Sequence, residues 1–167
     1  ARLVVFAVPS HGLRAVARAV APSLPPDAGL VSATKGLETD SLQRMSTVLA
    51  EEASAAQPVV VLSGPSFAAE VAQGLPTALL LASSHAAAAA CVQEWFRGPA
   101  LRLYVSDDVP GVEIGGAMKN VIAIAAGAAF SLLGWKLPTP AVEIVRLLGN
   151  SAGPCALFAI GVSLVRM

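Results

Sequence analysis

Five short apolar runs, each stopped by glycine, proline or small polar residues, constrain this chain more than any other feature. Residues 3–8 end in Pro9-Ser10-His11-Gly12, residues 30–34 in Lys35-Gly36, and residues 58–62 in Ser63-Gly64-Pro65-Ser66; residues 77–82 and 101–105 are the fourth and fifth runs. Near-continuous apolar runs of this length suit strands buried on both faces. Stretches of helical character lie between them. Residues 13–21 carry apolar side chains at helical spacing, with Arg14 and Arg18 on the other face and Pro22 closing the run. A second helix is expected over about 40–55, with Thr39, Asp40 and Ser41 offering cap oxygens. A short one follows Phe67 as far as Gly74, and an alanine-rich one covers about 85–96. Alternation of this kind predicts an α/β fold with a mainly parallel sheet.

The pattern changes at Val109. Asp107-Asp108 caps a new helix with Pro110 in its first turn, which runs through Gly115-Gly116 and Lys119-Asn120 to about residue 135. Leu137-Pro138-Thr139-Pro140 breaks it, residues 141–148 read as helix, and Gly153-Pro154 precedes an apolar stretch over 155–165. This divides the chain into 1–108, a long helix over 109–135 and an apolar tail over 136–167. Residues 121–135 and 155–165 are apolar enough for a bilayer but shorter than the ~20 residues a spanning helix needs.

Composition removes several classes of function. Eleven Lys+Arg balance eleven Asp+Glu, which argues against nucleic-acid binding through bulk positive charge. Aromatics at 5% make a poor stacking platform for single strands. Mean hydropathy is +0.68, much of it alanine. Cys91 and Cys155 lie in apolar stretches without nearby histidine, so two buried thiols are expected, and neither a metal site nor a disulfide scaffold. The chain opens without a signal peptide, starts inside a strand and ends just past an apolar run, and so reads as a fragment of something longer.

Ligands of open α/β sheets sit beyond the carboxyl ends of the strands. Pro9-Ser10-His11, Thr34-Lys35-Gly36 and Ser63-Gly64-Pro65-Ser66 line one crevice if their strands are parallel neighbours. Helix N–H groups, the Ser66 hydroxyl and the Lys35 ammonium would suit an anion there. The bland alternative is a solvated loop lysine and a plain N-cap serine. Lys119 has Gly115, Gly116 and Ala123 three or four residues away, so small neighbours leave room for close approach and an apolar setting. A desolvated lysine acts as a base near neutral pH; the alternative is a lysine snorkelling out of its helix. Residues 111–119 do not make a Walker loop, residues 63–67 do not make a nucleophile elbow, no GxGxxG occurs, and His11 and His85 have no partner at metal or triad spacing.

Five blocks in order carry a resemblance. They are Val8-Pro9-Ser10-His11, Ala33-Thr34-Lys35-Gly36-Leu37-Glu38, Ser63-Gly64-Pro65-Ser66-Phe67-Ala68-Ala69-Glu70, Gly74-Leu75-Pro76-Thr77-Ala78, and the run from Gly111 through Lys119-Asn120 to Ile124. Residues 1 to about 127 closely resemble bacterial NAD(P)-dependent glycerol-3-phosphate dehydrogenase. The resemblance implies an incomplete Rossmann-like sheet and reversible reduction of dihydroxyacetone phosphate to sn-glycerol 3-phosphate with NAD or NADP. It implies Lys119 as the catalytic proton acceptor, with Lys35, Gly64, Ser66, Lys119 and Asn120 on the substrate. It places Pro9, Lys35 and Ala68 on the cofactor. It also implies a cytoplasmic homodimer that supplies phospholipid synthesis.

The dinucleotide-binding turn of that family is absent from this sequence, and nothing after about Gly127 matches the family's helical domain. The chain alone is therefore expected to have little or no activity. Residues 137–164 resemble instead the end of membrane carriers of the auxin efflux type. The competing expectation is a carrier fragment fused to a dehydrogenase piece, touching membrane through residues 121–167.

Overall fold

A computed structural model describes residues 2–53, 57–64, 66 and 71–133; within its last helix the side chains of residues 119, 120, 123, 124 and 126–131 are outside that description. The elements are β1 (Leu3–Phe6), α1 (Ser10–Val20), a 3-10 turn (Ala21–Ser23), β2 (Gly29–Ser32), α2 (Met45–Glu52), β3 (Val59–Ser63), β4 (Thr77–Ala82), α3 (Ala86–Phe96), β5 (Leu101–Ser106) and α4 (Val109–Leu132). The strands form one sheet in the order β1-β2-β3-β4-β5. β1, β2 and β3 run parallel, with Phe6 beside Ser32 and Ser32 beside Val61. β4 is antiparallel to β3, and β5 is parallel to β4. The fold is thus the expected α/β arrangement of Rossmann type, with one reversal that sequence pattern alone does not reveal.

Alternation along the strands splits the core between the two faces. On one, Phe6 and Leu30 pack against Leu13 and Ala17 of α1 and Met45, Val48 and Leu49 of α2. On the other, Val31, Val60 and Leu81 pack against Val92 of α3. Leu30, Val31 and Ser32 are all fully buried, which is why β2 reads as an unbroken run instead of an alternating one.

Several boundaries differ from the sequence reading. β1 stops at Phe6 and β2 at Ser32, each two residues early. Beyond these points Ala33 N–H still donates to the Phe6 carbonyl at 2.8 Å, and the Thr34 hydroxyl then takes over by donating to the Val8 carbonyl at 2.9 Å. α2 begins at Met45 instead of about residue 40. Leu37 pairs with Arg44 as an antiparallel bridge, Glu38 N–H donates to the Gln43 carbonyl at 2.9 Å, and Leu42 takes a positive φ of 56°. Ser41 is spent inside this loop, donating to Glu38 and accepting from Gln43 N–H, so it caps no helix. Cys91 is exposed, not buried, because alanine-rich α3 is apolar on its solvent side as well. Cys155 and the elements expected over 136–167 lie outside the described residues, as do residues 67–70 of the short helix before Gly74. Among the described residues no helix is long and apolar enough to cross a membrane.

Arg14 ties the loop between β2 and α2 to both helices on its face. Its guanidinium donates to Glu38 at 2.7 and 2.9 Å, to Glu52 at 2.8 Å and to Gln43 at 2.8 Å, and pairs with Glu51 at 2.8 Å. Arg18 adds a bidentate grip on Glu52 at 2.8 and 2.9 Å. Arg14, helped by Ser41, holds the Glu38 carboxyl down at about 2, against an ordinary 4.5. Arg18, with Arg14, holds Glu52 at about 2. Both carboxyls bind a proton more weakly in the folded chain. Their stabilisation is therefore complete above pH 4.5 and is lost as pH falls toward 2. Urea midpoints measured across that window are expected to fall steeply in the parent and more shallowly in Arg14→Ala. Equal slopes in the two proteins would remove this network from the account of acid stability.

Candidate functional site

The parallel register of β1, β2 and β3 brings three of the sequence-predicted segments to one edge of the sheet. Pro9 follows β1 and is exposed, Lys35 follows β2, and Gly64 follows β3. The Thr34 hydroxyl, fixed on the Val8 carbonyl, holds the first two segments side by side. Lys35 Nζ then reaches the third, donating to the Gly64 carbonyl at 3.2 Å. The same carbonyl accepts from Ser66 N–H at 3.0 Å. Gly64 therefore faces a partly buried ammonium, and Ser66 is half-buried beside it.

Backbone conformation explains the glycine. Gly64 has φ of +145°, and a Cβ there would sit 3.1 Å from the Ala78 carbonyl oxygen and 3.2 Å from Leu79 Cα on β4. Neither backbone atom can swing aside as a side chain would, so β3 turns over β4 only with no side chain at this position.

The fourth contribution comes from α4. Asp108 caps it, accepting from Gly111 N–H at 2.8 Å. The helix leaves β5 at Ser106, level with Ala82 and so with Val61 in the middle of β3. It then runs along the sheet toward the carboxyl ends. At Gly116 it touches the last residue of β3: a Cβ on Gly116 would lie 2.7 Å from Ser63 Oγ. Lys119 is three residues further, about 4.5 Å of helical rise beyond that contact. The backbone thus brings Lys119 and Asn120 to the same end of the sheet as Lys35 and Gly64. Their side chains, and Ala68, lie outside the described part of the chain.

One charged residue was not singled out in the sequence. Glu113 is 6% exposed on α4. Its carboxylate accepts from Ser46 N–H at 2.7 Å, Ser46 Oγ at 2.6 Å and Arg44 Nη1 at 2.9 Å. The sequence signal was an acid in a stretch otherwise made of glycine and apolar residues. A cavity of about 300 Å³ lined by Gln93, Arg97, Arg102 and Tyr104 lies at edge strand β5, two strands from β3 and apart from these groups.

Residues 1–89 match the family model described as NAD-dependent glycerol-3-phosphate dehydrogenase N-terminus, and residues 108–151 match its C-terminus. The chain is 50% identical over 134 residues to a glycerol-3-phosphate dehydrogenase [NAD(P)+] of Pelotomaculum thermopropionicum, covering 79% of this chain and 38% of that protein. It is 48% identical over 152 residues to one of Thioalkalivibrio sulfidiphilus, covering 87% of this chain and 45% of that protein. Among solved structures, the glycerol-3-phosphate dehydrogenase of Coxiella burnetii superposes with a TM-score of 0.71 at 30% identity, over 98% of this chain and 53% of that one. The chain spans less than half the length of the two curated relatives.

The C-terminal match corrects one expectation. Likeness to the dehydrogenase family does not stop near Gly127 but continues to residue 151, through Leu137-Pro138 and Leu148-Gly149-Asn150. The stretch from 128 to 151 therefore needs no second origin.

Gly64→Ala is expected to cost about 1–3 kcal/mol, because it forces a side chain into a strained backbone region against β4. Chemical denaturation checks this. A variant as stable as the parent would mean that the turn relaxes to an ordinary φ.

Proposed function

The chain belongs to the NAD-dependent glycerol-3-phosphate dehydrogenase family, and from that premise we propose that it forms part of an enzyme interconverting sn-glycerol 3-phosphate and dihydroxyacetone phosphate. The observation that carries the reading is the convergence at one sheet edge: Lys35 on the Gly64 carbonyl, with α4 delivering Lys119 to the same end. In this reading residues 1–108 are the later part of a dinucleotide-binding domain, and the helix starting at Val109 carries the catalytic lysine.

Substrate chemistry asks for three things at the site. The phosphate needs compensating charge and donors, a task this reading assigns to Lys35 and to Gly64 and Ser66. The reacting hydroxyl needs a base, assigned to Lys119 with Asn120 beside it. The redox step needs a two-electron partner, which NAD or NADP supplies when bound. Pro9, Lys35 and Ala68 are the residues proposed to hold that cofactor. What supports a dinucleotide here is the position alone: Pro9 and Lys35 follow the carboxyl ends of parallel strands β1 and β2, where open α/β sheets take such ligands.

Lys119 does its work as a neutral amine. It takes the hydroxyl proton of glycerol 3-phosphate as carbon 2 is oxidised, and returns it to the carbonyl oxygen in the reverse direction. Gly115 and Gly116, four and three residues earlier, leave that stretch of the helix without side chains. A cytoplasmic homodimer feeding phospholipid synthesis completes the proposal.

The test is turnover of dihydroxyacetone phosphate with NADH and with NADPH, in the full-length protein that carries this chain. Lys119→Ala is expected to lower kcat by about 10²–10⁴-fold, the usual contribution of a general acid–base. Lys35→Ala is expected to act mainly by raising KM. A Lys119→Ala enzyme within threefold of the parent kcat would sink the assignment.

A further inference from the structure

Glu113 sits where two parts of the proposed site meet, and neither the family likeness nor the catalytic reading gives it a task. Its side chain is 3% exposed, yet it carries a charge among apolar and glycine neighbours. Such a carboxylate persists only when fully paired, and here three donors converge on it. Two belong to Ser46 in the first turn of α2, where helix N–H groups need acceptors and Arg44, the cap residue, has no carboxylate or hydroxyl to offer. The third is Arg44 itself.

Arg44 makes this more than a distant helix cap. Its backbone pairs with Leu37, closing the loop that begins at Lys35, while its guanidinium holds Glu113. One residue thus joins the Lys35 loop to α4. Three residues beyond Glu113, α4 also lies close against the end of β3, where a Cβ on Gly116 would sit 2.7 Å from Ser63 Oγ. Lys119 lies about 9 Å of rise beyond Glu113 on this single helix, so any shift at Glu113 is carried to it.

We infer that Glu113 is a positioning residue: by holding Arg44 and Ser46 it fixes α4, and with it Lys119, relative to the Lys35 loop. The inference rests on the catalytic reading of Lys119 and Lys35. It asks of Glu113 no contact with substrate or cofactor.

The test compares Glu113→Gln and Glu113→Asp with the parent in the full-length protein, by steady-state kinetics and by amide hydrogen exchange. Glutamine keeps the size but loses the charge that pairs with Arg44. It is expected to lower kcat at least tenfold while KM for the reduced cofactor stays within twofold. It is also expected to speed exchange at least tenfold both at Ser46 and over residues 115–119. Aspartate, keeping the charge, is expected to recover part of kcat. The inference is overturned if Glu113→Gln keeps kcat within twofold, or if faster exchange is confined to α2. A parent without turnover would instead mark failure of the catalytic reading. Exchange over 115–119 then still decides whether Glu113 couples α4 to the loop. If Glu113→Gln does not fold, Arg44→Gln, which removes the cation opposite Glu113 but keeps a side-chain N–H, takes its place, and the same changes in kcat and exchange support or overturn the inference.

Discussion

Parallel pairing of β1, β2 and β3 sends three loops out of one edge of the sheet, because the three strands point the same way and crossovers must carry the chain back from β1 to β2 and from β2 to β3. The helices of those crossovers, α1 and α2, bury Leu13, Ala17, Met45, Val48 and Leu49 on one face. The loop segments are left free to carry polar groups. The candidate site depends on this separation: a largely apolar sheet, and an edge where Pro9, Lys35 and Gly64 are neighbours without being close in sequence.

Loops so placed must still be held, and ionic contacts of long sequence range do this. Arg14 on α1 gathers Glu38, Glu51 and Glu52 around the loop that follows Lys35. Arg44, at the far end of the same loop, is joined to Glu113 on α4. The two clusters differ in kind. Carboxylates around Arg14 keep some contact with water, and their worth is discounted accordingly. Glu113 is nearly sealed, so removing one partner there strands a charge. The first cluster serves mainly the loop's shape; the second joins that loop to another element.

Sequence alone disclosed the strands and the crevice for a simple reason. A strand buried on both faces has to be an apolar run, and a chain leaving it toward a ligand has to turn on glycine, proline and small polar residues. Lys35 and Gly64 therefore stood out from local pattern. Glu113 and Arg44 did not, because their meaning lies in a contact 69 residues apart in sequence. The start of α2 was misplaced for the same reason. Thr39, Asp40 and Ser41 look like caps locally, whereas the structure spends Ser41 on Glu38 and Gln43 and caps α2 from α4. Cys91 misled through propensity: an alanine run favours helix without saying which side of it is buried.

The reversal at β4 is the least legible feature and bears most directly on the lysine. Residues 64–76 join β3 to β4, and nothing in an apolar run such as residues 77–82 records strand direction. With β4 antiparallel to β3 and β5 following it, the chain leaves β5 away from the crevice and α4 must run back along the sheet. The ten residue steps from Val109 to Lys119 then correspond to about 15 Å of rise, spent returning toward the carboxyl ends of β1, β2 and β3. Had β4 and β5 been parallel to β3, the same helix would have started at the crevice and carried Lys119 away from it. Glycine at 116 belongs to this geometry, since a helix crossing the end of β3 this closely has no room for a Cβ beside Ser63. The GVEIGG stretch is thus a packing sequence as much as a chemical one: Glu113 and Gly116 set where the helix lies, and that placement gives a lysine three residues later its place at the site.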